Sequence, residues 1–191
     1  MKKREIVFVT SNRGKIASAK KELKNIIEVI PFHAELTEPR SDDIRKIAKA
    51  KALEAYNITK KPCIAMDTGF FIDELNGFPR AYVNPVLETI GIEGIMKLMD
   101  GVKNRNCEFR ECIAYYDGDE INFFECVIPC TISKEIRENK CEESWSKLWY
   151  IVIPCGFNKV LAEFNDEDRN KFDSQKNISS IKIFGEWFLK Q

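Results

Sequence analysis

The chain has 191 residues, of which 44% are hydrophobic and 31% charged, and its 30 basic residues balance 30 acidic ones. This composition excludes an intrinsically disordered protein, and the length predicts one domain over residues 1–191. A net charge of zero gives no global field for attracting nucleic acid or anionic membranes, so neither is expected as a partner. No apolar run approaches the roughly 20 residues of a membrane span, and the first apolar run is too short for a signal peptide. A cytoplasmic location is therefore expected.

The first predicted elements are a buried strand over residues 5–10 and a helix over residues 14–26. A strand that ends in small polar residues and then opens a helix presents backbone N–H groups and the positive end of the helix dipole, which favour a phosphate. Lys15 adds a mobile positive charge, and side-chain donors come from Thr10, Ser11 and Asn12. The same residues are typical of an ordinary capped turn with a surface lysine, so both interpretations stay open.

The next part of the chain continues the alternation of strand and helix. A second strand is predicted over residues 27–30, followed by a loop over residues 35–41. Helical spacing of apolar residues then begins after Ser41-Asp42-Asp43, and this helix is predicted to end near Asn57. Residues 63–66 are apolar and predict a short interior strand that ends abruptly at Asp67.

Two acidic residues follow predicted strands here. A carboxylate at a strand end, such as Asp67, can bind Mg²⁺ or orient a water molecule, and Glu38 offers a second oxygen ligand. Since Mg²⁺ usually keeps waters and substrate phosphates in its shell, two carboxylates and a phosphate-binding turn suffice for metal-assisted hydrolysis of a phosphoanhydride. The alternative is that Asp67 only starts a turn and Glu38 is solvated.

The second half of the chain predicts helices, a long hairpin and a helical end. Residues 84–100 have helical spacing interrupted by glycines, and residues 107–134 predict a hairpin that turns at Asp117-Gly118. A polar loop is predicted over residues 135–147, a strand over residues 148–154, and a helix with an apolar face near residues 184–188. Early strand–helix alternation followed by an antiparallel hairpin predicts an α/β protein with a mixed sheet.

Seven cysteines are spread along the chain without any C-x-x-C pair, which argues against a disulfide framework or a zinc site. Reduced, mostly buried thiols are the favoured interpretation. A metal or redox role stays open as an alternative, because Cys107 with Cys112 and Cys126 with Cys130 lie on strands that are predicted to pair.

Five segments, in order, resemble the inosine triphosphate pyrophosphatase family. They are Val9–Lys15, Glu38–Ile44, Ala65–Ile72, Leu75–Tyr82 and Gly156–Phe164. The resemblance implies a mixed twisted sheet with flanking helices, two lobes around a central cleft, dependence on Mg²⁺ (with Mn²⁺ as a possible substitute) and a homodimer. The implied reaction hydrolyses a nucleoside triphosphate to the monophosphate and pyrophosphate.

The resemblance also implies roles for individual residues. The phosphates would be bound by Thr10, Ser11, Asn12 and Lys15, with Thr68 as a further donor to the substrate and Lys159 near the nucleotide. Glu38 and Asp67 would bind the metal. Asp67 would also activate water, so Asp67 and Lys15 are the predicted catalytic residues.

The chain departs from the family where the family reads the base. Ser146 and Trp149 align with the family's stacking aromatic and hydrogen-bonding aspartate, and Asp173-Ser174-Gln175 aligns with its Ser-His-Arg triplet. Since losing hydrogen-bonding groups can change discrimination by orders of magnitude, an altered base preference is predicted. The alternative is a catalytically impaired nucleotide-binding or interaction protein on the same scaffold.

Overall fold

The structure is a computed structural model that describes residues 4–34, 36–137, 144–175 and 179–191. Its described strands are β1 Glu5–Val9, β2 Glu28–Phe32, β3 Cys63–Ile72, β4 Pro79–Arg80, β5 Asn106–Tyr116, β6 Ile121–Ile132 and β7 Val152–Pro154. The described α-helices are α1 Arg13–Glu22, α2 Ile44–Thr59, α3 Val83–Thr89, α4 Gly91–Leu98, α5 Asp166–Asp173 and α6 Ser180–Phe188. Across these ranges no helix is long and apolar enough to cross a bilayer.

The strands pair in the order β2-β1-β3-β5-β6-β7, and β4 pairs with β3. β1 is parallel to both β2 and β3, whereas β4 is antiparallel to β3 and β7 is antiparallel to β6. The predicted mixed α/β fold is therefore confirmed. The chain divides into two compact units, one from the described residues of 1–68, 111–126 and 179–191 and the other from those of 69–110 and 127–178. The central cleft that the resemblance implies stays a prediction.

Helix α2 illustrates how sequence determines local structure in the first unit. The Asp43 carboxylate caps its start by accepting the backbone N–H of Arg45 at 2.9 Å and of Lys46 at 3.4 Å. Its buried residues follow helical spacing and are Ile44, Ile47, Ala48, Ala52 and Ala55. The helix ends at Thr59, because the next residue, Lys60, has a left-handed backbone (φ 53°). The predicted helix is thus confirmed, and it continues two residues beyond Asn57.

Helices α1 and α2 lie on opposite faces of the sheet. In the sheet, β2 lies on one side of β1 and β3 on the other. The connection through α1 therefore runs across the sheet in one direction and the connection through α2 in the opposite direction. Since such connections are right-handed, the two helices lie on different faces. α6 packs beside α1, where a Cβ on Gly185 would lie 2.8 Å from Leu23 Cδ2. Only a glycine permits this close approach without a shift of its neighbour.

Strand β3 is longer than predicted. Its last residue paired with β1 is Ala65, opposite Val9, yet it continues through Asp67 to Ile72. The prediction that the strand ends at Asp67 is therefore wrong. The reason is that β3 has partners other than β1, because it is hydrogen-bonded to β5 and its residues Phe70 and Phe71 pair with β4.

The second unit contains two further departures from the prediction. Residues 147–150 form a 3₁₀ turn, started where the Leu148 N–H donates to Ser146 Oγ at 3.3 Å, so only Val152–Pro154 of the predicted strand over 148–154 is extended. α5 was not predicted, since its sequence is polar and has no apolar stripe. The predicted break between helices is confirmed, because α3 ends at Thr89 and α4 begins at Gly91, whose φ is +65°. Part of the predicted loop, residues 138–143, lies outside the described residues.

Candidate active site

The candidate site lies in the first unit, at the carboxyl end of β1. Beyond the Val9–Ala65 pair, β1 turns into α1 while Met66 and Asp67 continue β3 alongside. The strands that follow β1 in sequence, β2 and β3, lie on opposite sides of it, so the order of the strands reverses at β1. In parallel sheets, ligands bind outside the carboxyl ends of the strands at such a switch point. The fold thus brings together the turn after β1 and the middle of β3.

The turn after β1 is fixed by its own side chains. The Asn12 N–H donates to Thr10 Oγ1 at 3.1 Å, and the Lys15 N–H donates to Asn12 Oδ1 at 3.0 Å. Ser11 is exposed between them. Because a helix leaves its first amides without intrahelical partners, the start of α1 is both a capped turn and a group of donors suited to an anion. The two interpretations of this segment are therefore compatible.

Lys15 carries positive charge from α1 toward β3. Its Nζ lies 3.5 Å from the carbonyl oxygen of Met66, the residue before Asp67. Burial lowers the pKa of Lys15, and the charge of Asp67 is the strongest influence in the opposite direction. The ammonium is thus partly withdrawn from water and depends on nearby carboxylates.

Asp67 is a buried carboxylate, with its side chain only 12% exposed. Burial raises its pKa, while the charges of Lys15 and Lys51 act against that rise. Cys63 lies four residues before Asp67 on β3, and its thiol donates to Ala52 O of α2 at 3.4 Å. Side chains an even number of residues apart on a strand lie on the same face of the sheet. Asp67 therefore faces α2.

Lys51 of α2 is a site residue that the sequence reasoning missed. Its Nζ lies 2.9 Å from Glu38 Oε1 and 3.4 Å from Asp67 Oδ1. Burial acts in the opposite direction, but Asp67 and Glu38 together raise the pKa of Lys51. The sequence did contain a signal for Lys51, because it follows the buried Ile47 by four residues and the buried Ala48 by three. Residues at these spacings lie on the same face of a helix.

Glu38 and Asp67, the two predicted metal ligands, are brought to one point by this contact. Glu38 is on a loop and its side chain is 60% exposed, whereas Asp67 is fixed in a strand. Within the described ranges no group of three or more His, Cys, Asp and Glu residues could hold a metal ion. Glu38 and Asp67 nevertheless suit a hard cation whose remaining ligands are waters and phosphates. The position beside the two carboxylates already holds the positive charge of Lys51.

Thr68 has an unsatisfied hydroxyl. Its Oγ1 is buried and has no hydrogen-bond partner among the described residues. Strand alternation turns it to the face opposite Asp67. Since a buried hydroxyl without a partner is destabilising, this oxygen is suited to a ligand or water. The predicted role as a donor to the substrate stays a prediction.

Lys159, the predicted nucleotide-binding residue of the second unit, has a local partner, and the tryptophans near the replaced base-reading positions contact each other. Lys159 Nζ lies 2.8 Å from Asp168 Oδ2. The rings of Trp145 and Trp149 stack with centroids 6.5 Å apart, and the Arg169 guanidinium lies 5.3 Å from the Trp149 centroid. The approach of Lys159 to a nucleotide stays a prediction.

The cysteines are free thiols where they are described. The buried ones are Cys63, Cys107, Cys112, Cys126 and Cys130, and Cys155 is exposed. Burial raises the pKa of Cys63, Cys112 and Cys130 to about 12, so these thiols are poor nucleophiles near neutral pH. Cys141 lies outside the described residues.

The fold and the site together define an α/β protein in which a capped turn precedes α1 and a buried carboxylate lies on β3, with Lys51 in contact with that carboxylate and Lys15 at the preceding carbonyl. A family model, that of the Ham1 family, matches residues 6–178. The chain therefore belongs to the Ham1 family, which confirms the predicted relationship to inosine triphosphate pyrophosphatases.

Relatives of known name agree with this membership. The chain is 35% identical over 173 residues to the dITP/XTP pyrophosphatase of Saccharolobus solfataricus, covering 88% of this chain and 86% of that protein. It is 36% identical to the dITP/XTP pyrophosphatase of Korarchaeum cryptofilum, covering 93% of each. Among solved structures, a HAM1 protein from Coxiella burnetii is similar with a TM-score of 0.79 at 17% identity, over 98% of this chain and 100% of that one. The Ham1 protein of Staphylococcus aureus gives a TM-score of 0.75 at 20% identity, over 96% and 97%.

Proposed function

We propose that this protein hydrolyses nucleoside triphosphates to nucleoside monophosphates and pyrophosphate. The observation that carries this proposal is the buried Asp67 carboxylate, with Lys51 Nζ 3.4 Å away and Lys15 beside the preceding carbonyl. The names of the relatives, dITP/XTP pyrophosphatases, support the same reaction.

The first role of the site is to bind the triphosphate. Amides at the start of α1, together with the ammonium groups of Lys15 and Lys51, would offset the negative charge of the phosphate oxygens. Asn12 keeps the turn in place through its bond to the Lys15 N–H. Because phosphoryl transfer depends mainly on positioning and charge stabilisation, these groups supply a large part of the catalysis.

The second role is to activate water, and we assign it to Asp67. Its carboxylate would orient a water molecule and accept a proton as the water oxygen bonds to the α-phosphorus. The bond from that phosphorus to the bridging oxygen breaks, and pyrophosphate leaves with its electron pair. Burial raises the pKa of Asp67, which makes this carboxylate a stronger base than an exposed aspartate.

Glu38 and Asp67 would hold a divalent cation, Mg²⁺ or Mn²⁺. When bound, such an ion neutralises charge on the phosphates and on the leaving pyrophosphate. Glu38 is exposed on its loop and can adapt to the ion, whereas Asp67 is fixed in β3. We further propose that the protein is a homodimer, as the family resemblance implies, and that it acts in the cytoplasm, as expected from the sequence.

The base preference is proposed to differ from that of the named relatives. When the chain is aligned with the motifs of the family, the base-reading groups of the family are replaced by Ser146, Trp149 and the segment Asp173-Ser174-Gln175. A pyrophosphate-release screen tests both function and preference, using dITP, XTP, ITP and the common nucleoside triphosphates with Mg²⁺ or Mn²⁺. Multiple turnover of at least one nucleotide supports the proposal. Thermal stabilisation by nucleotides without turnover of any of them would instead support the nucleotide-binding alternative.

A further inference from the structure

An ion pair of the second unit, between Arg137 and Glu163, has no part in the mechanism above. It lies beside Lys159, which is on the connection between β7 and α5 with its side chain 43% exposed. Arg137 Nη1 lies 3.4 Å from Glu163 Oε2 and donates to Asn158 O at 3.5 Å. The same Glu163 oxygen accepts the Val160 N–H at 3.1 Å. The residue before Lys159 is therefore bound to the guanidinium, and the residue after it to the carboxylate.

Arg137 is itself fixed to the chain that precedes β7. Its backbone N–H donates to Tyr150 O at 2.9 Å, and its side chain is only 33% exposed. The Nε–H is buried and has no hydrogen-bond partner in the part of the chain that the structure describes, although Glu135 Oε1 lies 3.5 Å from it as an ion pair. A buried donor without an acceptor lowers stability. This arrangement therefore favours a functional role for Arg137 over a purely stabilising one.

The far end of the Lys159 side chain is held by another carboxylate. Its Nζ lies 2.8 Å from Asp168 Oδ2, and that oxygen also accepts the Asn165 N–H at 3.3 Å at the start of α5. The backbone on either side of Lys159 and its ammonium are thus all held by protein groups. Because the side chain stays partly exposed, the ammonium can also contact a ligand. A long side chain that is already ordered loses less conformational entropy on binding.

We propose that Arg137, through its ion pair with Glu163, is a positioning residue that holds Lys159 in place to bind the nucleotide. This inference rests on the proposed function and on the predicted approach of Lys159 to the nucleotide. The physical reason is preorganisation, because the two contacts fix the backbone from which the Lys159 side chain extends. Arg137 would then act on the nucleotide only through Lys159.

A double-mutant cycle between Arg137 and Lys159 tests the inference. The assay is calorimetric titration with the α,β-methylene analogue of ITP and Mg²⁺, since the bond that the reaction would break cannot be hydrolysed in this analogue. Arg137→Met is expected to weaken binding by about five- to tenfold, which corresponds to immobilising one long side chain on binding. In a Lys159→Met background, the same substitution should change the affinity by less than about twofold, because the residue through which Arg137 acts is gone.

Three further variants separate this role from a general effect on the fold. Arg137→Lys should bind within about threefold of the wild type, because both side-chain contacts of Arg137 use one nitrogen and the positive charge is kept. Glu163→Gln keeps an acceptor for the Val160 N–H and tests the same ion pair where Arg137→Met does not fold. It should weaken binding by about threefold, and only when Lys159 is present. Lys134→Met is the matched control for lost charge, since Lys134 is exposed, and it should stay within about twofold.

Two results would overturn the inference. One is an equal loss of affinity from Arg137→Met with and without Lys159, which would indicate a general distortion of the second unit. The other is an unchanged affinity in Lys159→Met, which would show that Lys159 does not contact the nucleotide. Neither measurement needs turnover. A wild-type protein that binds the analogue but releases no pyrophosphate would therefore refute the proposed function and leave the coupling of Arg137 to Lys159 measurable.

Discussion

Replacing Lys51 with methionine tests whether Glu38 and Asp67 form a cation site. Lys51 Nζ lies 2.9 Å from one carboxylate and 3.4 Å from the other, so its ammonium lies beside the position that a divalent cation bound by both would take. Methionine is unbranched, flexible and uncharged, and it can fill similar space. We expect Lys51→Met to bind Mn²⁺ more tightly than the wild type when no nucleotide is present.

The magnitude follows from the contact distances. A cation held by both carboxylates would lie about 4 Å from the ammonium, where two unit charges interact by about 1 kcal/mol in water and a divalent ion by about 2 kcal/mol. At 1.4 kcal/mol for each factor of ten, this repulsion corresponds to about thirtyfold in affinity. Because Glu38 is exposed and can move away with Lys51, we expect about ten- to thirtyfold tighter binding in the variant.

The assay is titration of free Mn²⁺ by electron paramagnetic resonance at fixed pH and ionic strength. Lys49→Met is the matched control, since Lys49 is exposed on the same helix and its loss changes the net charge equally. The control should leave the affinity within about twofold of the wild type, because exposed charges are largely screened by salt. Equal or weaker Mn²⁺ binding by Lys51→Met would refute the shared cation site.

Three further predictions concern stability and thiol chemistry. Asn12→Ala removes the cap of α1 and should lower the free energy of unfolding by about 1 kcal/mol, measured by urea denaturation; an unchanged midpoint would contradict the cap's contribution. Gly118→Ala should destabilise by at least about 1 kcal/mol, because φ is +112° and the added Cβ would meet the Tyr56 hydroxyl; an unaltered melting temperature would count against this. Cys155→Ser should remove one fast-reacting equivalent in a native thiol titration, whereas Cys63→Ser should remove none, because Cys63 is buried. Loss of a fast equivalent in Cys63→Ser would show that the buried thiol is accessible.

The early strands and helices could be predicted because their sequence signals are local. Asn12 and Asp43 are cap residues whose bonds to the following amides are present in the structure, and apolar spacing defined α2. The continuation of β3 through Asp67 could not be predicted, because it depends on pairing with β5 and with β4, a strand of two residues. Pairing between distant segments leaves no periodic signal in either one.

The site was predictable for residues at the ends of elements and not for residues that reach it from elsewhere. Asp67 and Lys15 follow apolar runs that identify the carboxyl edge of a parallel sheet. Lys51 lies within a helix, where a lysine is usually solvated, and only its place on the buried stripe distinguishes it. The same holds outside the site, where Glu111 lies within a strand between the exposed Arg110 and the buried Cys112, and its Oε2 is paired with Ser180 of α6, which is nearly seventy residues further along the chain.

The central claim is that Asp67 activates the water that attacks the triphosphate, and the rate of pyrophosphate release by Asp67→Asn tests it most directly. With the best nucleotide from the screen, we expect a loss of about a thousandfold, as for removal of a general base. Asp73→Asn, an exposed aspartate six residues further along the chain, should keep the wild-type rate. In ¹⁸O-labelled water the wild type should place the label in the monophosphate and not in pyrophosphate. An Asp67→Asn protein that releases pyrophosphate at the wild-type rate would contradict the account.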